Sequence, residues 1–402
     1  MKICIIVDDY LPDSIKVSAK MMHELACELK KNGHDVTVIT PVSKCDSKIE
    51  MVIIDDIRVY RFQSGEIKNI GKVKRAINET LLSYRAWKYL SNFFRENPHD
   101  YIIYYSPSIF WGTLVSKLKK LWNVPTYLIL RDFFPQWAID QGLIKENSLI
   151  EKYFRFFENK CYEPADTIGV MSQKNLEWFK KTYQLDKKLE VLYNWADNSP
   201  VKLINNYKNK LGLVDKVVFF YGGNMGHAQD MMNIVRLAKN MQNESKAHFV
   251  LVGRGDEVNL IQNAIKEQKL NNITLLPAVN QDEYKQMLVS FDIGLFTLHR
   301  EHKTHNFPGK LLGYMVQGLP ILGSINIGND LKEVIETAEA GFVSINGEDE
   351  KLLKNAKKLL DDNLRSKMGK NAQILLESHF SVKSAVRSIL ETYYNPSPFS
   401  IT

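Results

Sequence analysis

In Val217-Val218-Phe219-Phe220-Tyr221-Gly222-Gly223-Asn224-Met225-Gly226, an unbroken apolar run gives way to a glycine loop. A short run of this kind is typical of a strand buried on both faces, and glycines allow the sharp turn that follows. The order then repeats, with helical spacing over Met231–Met241, an apolar run at His248–Val252 and a second glycine loop at Gly253–Asp256. This alternation predicts parallel strands joined by helices in right-handed crossovers.

The N-terminal half shows the same alternation. Strands are predicted at Ile3–Val7 and Val36–Thr40, separated by a helix that ends at Gly33. Further strands of this half are predicted at Tyr101–Tyr105, Thr126–Leu130 and Thr167–Met171. The C-terminal half has further predicted strands at Ile273–Leu276, Ile293–Phe296, Pro320–Gly323 and Gly341–Ser344. The two halves together predict an α/β protein of two Rossmann-like, doubly wound parallel-sheet domains that face a central cleft.

The length of 402 residues favours two domains, since a domain takes roughly 100–200 residues. The pattern breaks at Leu192–Pro200, so we predict a first domain at 1–195 and a second at 196–380. A C-terminal helix and tail would occupy 381–402, because Pro396 and Pro398 prevent the helix Val382–Tyr394 from continuing.

Composition excludes several classes of protein. No apolar run approaches the roughly 20 residues that span a bilayer, and Asp8 and Asp9 come too early for a signal peptide. The four cysteines form no Cys-x-x-Cys pair, which argues against a zinc site or disulfide framework and favours a reducing cytosol. The net charge of +7 permits contact with phosphates or an anionic membrane, and we expect no nucleic-acid partner.

Two segments of the second half are suited to binding an anion. The glycine loops offer backbone amide donors, and Arg254 could pair with a phosphate, although both loops could instead be tight structural turns. In Pro308-Gly309-Lys310 a lysine opens a helix, where it opposes the positive end of the helix dipole. This placement is explained if an anion binds beside Lys310; the alternative is a solvated surface lysine.

Five segments resemble glycosyltransferase family 4 in order and spacing along essentially the whole chain. They are Asp9–Pro12, Gly33–Val38, Asn194–Asp197, Tyr221–Gly226 and Pro308–Lys310. The resemblance implies a GT-B fold, a nucleotide-sugar donor in the C-terminal domain, retention of anomeric configuration and no metal or other cofactor. No Asp-x-Asp motif of the metal-dependent transferases occurs in the chain.

Ser14–Leu25 and Leu130–Ala138 resemble the O-antigen and capsule branch of this family, the WbuB-type transferases assigned to N-acetyl-L-fucosamine. That branch implies a UDP-sugar donor and an undecaprenyl-diphosphate-linked saccharide acceptor. It also implies a cytoplasmic protein that lies peripherally on the inner face of the plasma membrane.

The family's charged residues map only in part. Its diphosphate-binding Arg and Lys fall on Asn224 and Gln229, and its two glutamates fall on His305 and Gly313. We therefore expect Lys310, Arg254 and backbone amides to neutralise the diphosphate, with the base read near Pro277–Val279. The predicted donor site comprises Gly223, Asn224, Met225, Gly226, Gln229, Arg254, Val279, His305, Pro308, Gly309, Lys310 and Leu311.

Candidate acceptor residues follow two predicted strands of the first domain. Arg131 and Asp132 come after Thr126–Leu130; Asp132 could orient the acceptor hydroxyl, accept its proton, or simply cap a helix. Asp9 and Lys16 lie in the first strand-to-helix loop, where a structural turn is the alternative. We predict Asp132, Lys310, Arg131 and Asp9 as catalytic, Lys16, Asp9 and Asp132 as acceptor-binding, and no metal ligand.

Ile67–Leu90 has apolar residues at helical spacing with lysines and an arginine between them. A basic amphipathic helix can lie on an anionic bilayer, although packing on its own domain is the more common arrangement. Other functions stay open: a nucleotide-sugar 2-epimerase, or a non-catalytic nucleotide-sugar- or lipid-binding partner of another transferase. A dehydrogenase is disfavoured because Asp8–Pro12, not Gly-x-Gly-x-x-Gly, follows the first strand.

Overall fold

The computed structural model describes residues 1–14, 16–67, 70–301 and 307–395. The chain forms two compact units, the first from Met1–Tyr193 with Val382–Thr402 and the second from Asn194–Ser381. The C-terminal helix and tail, predicted as a separate segment at 381–402, belong to the first unit. Among the described residues, no helix is both long and apolar enough to span a bilayer.

The strands of the first unit are β1 (Lys2–Ile6), β2 (Asp35–Val42), β3 (Ile49–Ile54), β4 (Ile57–Gln63), β5 (Tyr101–Ser106), β6 (Thr126–Leu130), β7 (Thr167–Val170) and β8 (Lys188–Val191). Its helices up to the domain boundary are α1 (Val17–Lys31), α2 (Lys72–Thr80), α3 (Leu82–Glu96), α4 (Gly112–Trp122), α5 (Gln136–Asp140), α6 (Leu149–Tyr162) and α7 (Gln173–Thr182).

The sheet of the first unit has the order β3-β4-β2-β1-β5-β6-β7-β8. Every pair is parallel except β3–β4, an antiparallel hairpin at the edge. This hairpin was not predicted, because the edge strand β3 exposes residues such as Glu50 and Met51 and has no continuous buried face. The parallel core of the sheet agrees with the predicted doubly wound fold.

The segment predicted as one helix over Ile67–Leu90 is two helices, α2 and α3, that meet at Leu81. Thr80 Oγ1 donates to the carbonyl oxygen of Ala76, 2.6 Å away, and such a bond within the last turn bends a helix. The basic stretch Lys72–Arg75 therefore belongs to a short helix of its own.

The strands of the second unit are β9 (Val217–Asn224), β10 (Ala247–Arg254), β11 (Ile273–Pro277), β12 (Ile293–Thr297), β13 (Ile321–Ile325) and β14 (Gly341–Ile345). Its helices are α8 (Tyr207–Leu211), α9 (Met232–Asn240), α10 (Val258–Glu267), α11 (Gln281–Ser290), α12 (Lys310–Val316), α13 (Leu331–Thr337), α14 (Asp349–Lys358) and α15 (Asp362–Leu375). The last helix, α16 (Val382–Tyr394), returns to the first unit, where the Tyr101 hydroxyl is 3.0 Å from Thr392 Oγ1.

The second sheet is parallel throughout, in the order β11-β10-β9-β12-β13-β14. The chain starts at β9, moves outward to β11 and then crosses to β12 on the other side. In such sheets, ligands bind at the carboxyl ends of the strands where the order reverses, here between β9 and β12.

Strand β9 continues three residues beyond the apolar run Val217–Tyr221 from which it was predicted, through Gly222, Gly223 and Asn224. A Cβ on Gly253 of the neighbouring β10 would lie 1.8 Å from the carbonyl oxygen of Gly223. The two strands therefore stay paired to their ends only because residue 253 has no side chain.

Candidate functional site

Lys310 lies at the reversal point of the second sheet. It opens α12, which follows β12, and its ammonium nitrogen is 3.6 Å from the centroid of the Tyr221 ring on β9. A Cβ placed on Gly223 would be 3.8 Å from the same nitrogen. The structure thus brings together the predicted lysine and the predicted glycine loop.

The Lys310 side chain is half-buried, and its ammonium lies over the face of the Tyr221 ring. Burial lowers the pKa of this lysine from 10.5 to about 7. Within the part of the chain that the structure describes, no carboxylate forms an ion pair with it. An anion bound beside Lys310 would therefore favour the protonated form of this lysine.

The polar side chains of the glycine loop bind one another. Asn224 Nδ2 donates to Gln229 Oε1 at 2.8 Å, and the Gly226 N–H donates to the same oxygen at 3.2 Å. A Cβ on Gly226 would meet Asp256 Oδ1 at 2.6 Å. The two residues at the positions of the family's Arg and Lys thus fix the path of the loop.

The other predicted donor residues divide by exposure. The Arg254 side chain is exposed, opposite Asn224 across the β9–β10 pair, and the half-buried Val279 precedes Asn280, the cap of α11. Met225 is fully buried in the core of the second unit. The Arg254 side chain can therefore contact a bound donor, whereas the buried Met225 side chain cannot.

Pro308, Gly309 and Leu311 line a small apolar cavity of about 10 Å³. Leu311 is buried, so its side chain anchors α12. Gly313 packs toward Leu288, where an added Cβ would be 3.2 Å from Cδ1. His305 lies outside the described residues.

In the first unit, Asp132 follows β6 and Asp8 follows β1. Burial raises the pKa of the Tyr105 hydroxyl; the nearby Arg131 guanidinium lowers this pKa, and the two carboxylates raise it further. Asp132 is exposed, yet the protein atoms around its carboxyl group still raise its pKa above 3.8. Helix α5 is capped at Pro135, so Asp132 is not its cap.

Arg131 is directed into the protein. Its Nη2 donates to the carbonyl oxygen of Tyr193 at 3.2 Å, and burial lowers its pKa to about 10. This hydrogen bond connects the residue after β6 with Tyr193, both of the first unit. The catalytic role predicted for Arg131 stays a prediction.

Asp9 lines a pocket of about 410 Å³ at the carboxyl ends of β1, β2 and β4. Its Oδ2 accepts a hydrogen bond from Ser14 Oγ at 2.7 Å and lies 3.5 Å from Lys16 Nζ. Arg61, which the sequence analysis missed, also lines this pocket and pairs with Asp13 and Glu50. The volume is that of an ordinary small-ligand site.

Two family models match the chain, one on each unit. Residues 18–199 match the model described as Glycosyltransferase Family 4, and residues 204–374 match Glycosyl transferases group 1. The chain therefore carries a glycosyltransferase family 4 domain and a glycosyl transferases group 1 domain. Lys310 and the glycine loop lie in the group 1 domain, and Asp132 lies in the family 4 domain.

Curated relatives match part of these glycosyltransferase domains. The probable glycosyltransferase WbjE of Pseudomonas aeruginosa is 24% identical over 225 residues, 54% of this chain and 54% of WbjE. The putative colanic acid biosynthesis glycosyl transferase WcaI of Escherichia coli (strain K12) is 21% identical over 265 residues, 64% of this chain and 62% of WcaI. The chain thus spans a little over half the length of these relatives.

Among solved structures, HepE from Anabaena in complex with UDP is similar over 98% of this chain and 100% of its own, with a TM-score of 0.69 and 16% identity. Its complex with UDP-glucose gives a TM-score of 0.65 at 15% identity. At this identity the similarity establishes the fold alone. The predicted GT-B fold is confirmed.

Sequence reasoning missed the partners that define the environment of the predicted residues. Tyr221 was assigned to a buried strand, but its ring face supports the Lys310 ammonium. Tyr105 was likewise assigned to a strand, although its hydroxyl lies among Asp8, Arg131 and Asp132. For Tyr221, its position immediately before the glycine loop is the sequence feature that could have indicated a place in the site.

Proposed function

We propose that the chain transfers a sugar from a nucleotide diphosphate donor, bound by the group 1 domain, to a saccharide acceptor bound by the family 4 domain. The observation that carries this proposal is Lys310. Its ammonium is desolvated, has no described carboxylate partner, and lies at the sheet position where this fold type binds ligands. A diphosphate is an anion of the size and charge that such a site accommodates.

In the proposed reaction the bond between the donor's anomeric carbon and the diphosphate oxygen breaks. The acceptor oxygen forms the new bond to that carbon and loses its proton. Negative charge accumulates on the leaving diphosphate, where Lys310, Arg254 and amides of Gly223–Gly226 stabilise it. Asp132 orients the acceptor hydroxyl or takes its proton.

The finer assignments are part of the same proposal. A UDP-sugar as the donor is supported by HepE, which was solved with UDP and with UDP-glucose. Surface polysaccharide synthesis is supported by the name of WcaI. N-acetyl-L-fucosamine, retention of configuration, a transfer reaction that needs no metal and an undecaprenyl-diphosphate-linked acceptor rest on the sequence resemblance alone.

Donor binding should depend on pH in a way that identifies Lys310. Since the pKa of Lys310 in the ligand-free protein is about 7, this lysine is increasingly neutral above pH 7 and must take up a proton when a diphosphate binds. The dissociation constant for a UDP-sugar should then rise by up to about tenfold per pH unit above pH 7. Calorimetric titrations in two buffers of different ionisation enthalpy measure both the constant and the proton uptake.

Lys310→Arg is the matched variant, because a guanidinium keeps its charge over this range. It should flatten the pH dependence and abolish proton uptake. A wild-type affinity independent of pH between 7 and 9 would contradict the proposal. Donor binding without transfer would favour the non-catalytic partner, and isomerisation of the free nucleotide sugar would favour the epimerase.

Membrane docking of the first unit is a further part of the proposal. Exposed apolar side chains cover one side of α6, with 84% of Leu149, 61% of Ile150 and 55% of Phe156 accessible. The Tyr153 hydroxyl on α6 contacts Thr80 at the end of basic helix α2. An apolar surface beside a basic helix is suited to an anionic bilayer, where a lipid-linked acceptor is found.

Replacement of Leu149 and Ile150 by glutamate should weaken co-sedimentation with phosphatidylglycerol vesicles at low salt. Each change removes apolar area and adds a charge that the lipid headgroups repel. Leu260→Glu, at an exposed leucine of the second unit, is the control and should leave vesicle binding unchanged. Failure of the wild-type protein to bind anionic vesicles would refute docking without affecting the transfer reaction.

A further inference from the structure

Three potential metal ligands meet at the surface of the first unit. They are His23, Cys27 and Asp55, whose ligand atoms all lie within 4.8 Å of one another. His23 and Cys27 are four residues apart on α1 and so share one helix face. Asp55 comes from the two-residue turn between β3 and β4, where Asp55 and Asp56 both have positive φ, 46° and 63°.

The two nitrogens of the His23 ring have different neighbours. Nδ1 is 2.8 Å from the Tyr10 hydroxyl, which is itself buried. Nε2 is 2.9 Å from Asp55 Oδ2 and 3.5 Å from Cys27 Sγ. An imidazole nitrogen has either one proton or one lone pair, so Nε2 cannot satisfy both groups by hydrogen bonding.

A single cation between the three atoms satisfies all of them. In a tetrahedral zinc site, Zn–S of about 2.3 Å and Zn–N of about 2.05 Å place sulfur and nitrogen about 3.6 Å apart. The observed separation of Cys27 Sγ and His23 Nε2 is 3.5 Å. Nitrogen and oxygen ligands would be about 3.3 Å apart, so Asp55 has to move outward by about 0.4 Å. Its side chain is 77% exposed and has room to do so.

We propose that His23, Cys27 and Asp55 bind a zinc ion. A thiolate with an imidazole selects zinc over magnesium or calcium, which prefer oxygen ligands. On binding, the Cys27 thiol releases its proton as the Zn–S bond forms. The Tyr10 hydroxyl accepts the Nδ1–H of His23, which leaves the Nε2 lone pair directed at the metal. A water molecule completes the coordination.

The zinc ion fastens the β3–β4 turn to α1 and fixes Tyr10. Tyr10 lines the 410 Å³ pocket together with Asp9, so the metal stabilises one wall of that pocket. This role is structural and does not depend on the proposed glycosyl transfer. The sequence predicts no zinc site because its cysteines are not paired, whereas these three ligands come from a helix and a distant turn.

The test uses the full-length protein, freed of metal with a chelator and titrated with zinc against a chromophoric competitor. We expect one zinc ion per chain, a rise in the melting temperature, and a thiolate-to-metal charge-transfer band with cobalt(II). Cys27→Ser should abolish that band and weaken zinc binding by more than about tenfold, and Tyr10→Phe should weaken it by about 10–100-fold. Asp55→Asn should also weaken binding, and Cys45→Ser, outside the cluster, should not.

Wild-type protein that binds no stoichiometric zinc would overturn the proposal. So would zinc affinity that is unchanged in both Cys27→Ser and Asp55→Asn. Alkylation of the wild-type chain gives a readout that needs no variant, since saturating zinc should protect Cys27 but leave Cys45 reactive. Unprotected Cys27 under those conditions would also refute the site.

Discussion

Lys310→Met should abolish most donor binding and most transfer while leaving the fold intact. A charge-assisted hydrogen bond contributes about 1.5–3 kcal/mol, so affinity for a UDP-sugar should fall by about 10- to 150-fold. Because charge develops on the leaving diphosphate, kcat should fall further, by about 10²–10³-fold. Calorimetry and a radiolabelled-sugar transfer assay measure the two effects separately.

The control for this change is Lys367→Met, at an exposed lysine of the same unit that pairs with Glu339. It should change neither donor affinity nor transfer. A Lys310→Met protein with wild-type turnover would refute the assignment of the donor site.

The Lys310→Met protein should be at least as stable as the wild type near pH 7. The folded-state pKa of Lys310, about 7, is below its value of 10.5 in the unfolded chain, so the unfolded state binds more protons between pH 7 and pH 10.5. The free energy of unfolding of the ligand-free wild type therefore gains a contribution from this lysine as the pH rises through that window. Denaturant titrations at pH 7 and pH 9 should show the gain in the wild type and not in Lys310→Met.

Asp132→Asn should reduce kcat/KM for the acceptor by about 10²–10⁴-fold, the usual effect of removing a group that accepts a proton. Donor affinity should not change, because all the proposed donor contacts come from residues of the second unit. The raised pKa of the carboxyl group should appear as a loss of wild-type activity on the acid side, since only the ionised form accepts a proton.

Asp140→Asn is the matched control, at an exposed carboxylate of α5 that bonds to Gln136. It should leave acceptor kinetics unchanged. If Asp132→Asn retained full kcat/KM and the acid limb, Asp132 would have no role in proton transfer.

Much of the fold follows from the sequence, because parallel strands buried on both faces show up as continuous apolar runs. Thr126–Leu130 was predicted to the residue as β6, and Val382–Tyr394 as α16. The β3–β4 hairpin escaped prediction because its exposed edge breaks that pattern. The end of β9 escaped because its pairing depends on a backbone contact between Gly223 and Gly253, which no single-strand pattern encodes.

The candidate site was predictable where a residue conflicts with its local structure. Lys310 was noticed because a lysine is unfavourable at the start of a helix, and the structure adds a second cost, its burial against Tyr221. Arg131 could not be oriented in the same way, since its partner is a backbone carbonyl 62 residues away. Sequence spacing reveals which residues reach an edge of the sheet, but not the direction in which their side chains point.

The residues of the donor loop differ in how strictly the structure limits their side chains. The strictest limit comes from the close approach of Gly253 to Gly223. A single added methyl group at residue 253 would collide with main-chain atoms, so that position admits no other amino acid whatever its polarity. Asn224 and Arg254 are exposed beside it and meet no such limit. Amide donors can therefore keep their positions in related chains while the neighbouring side chains exchange charged for neutral groups.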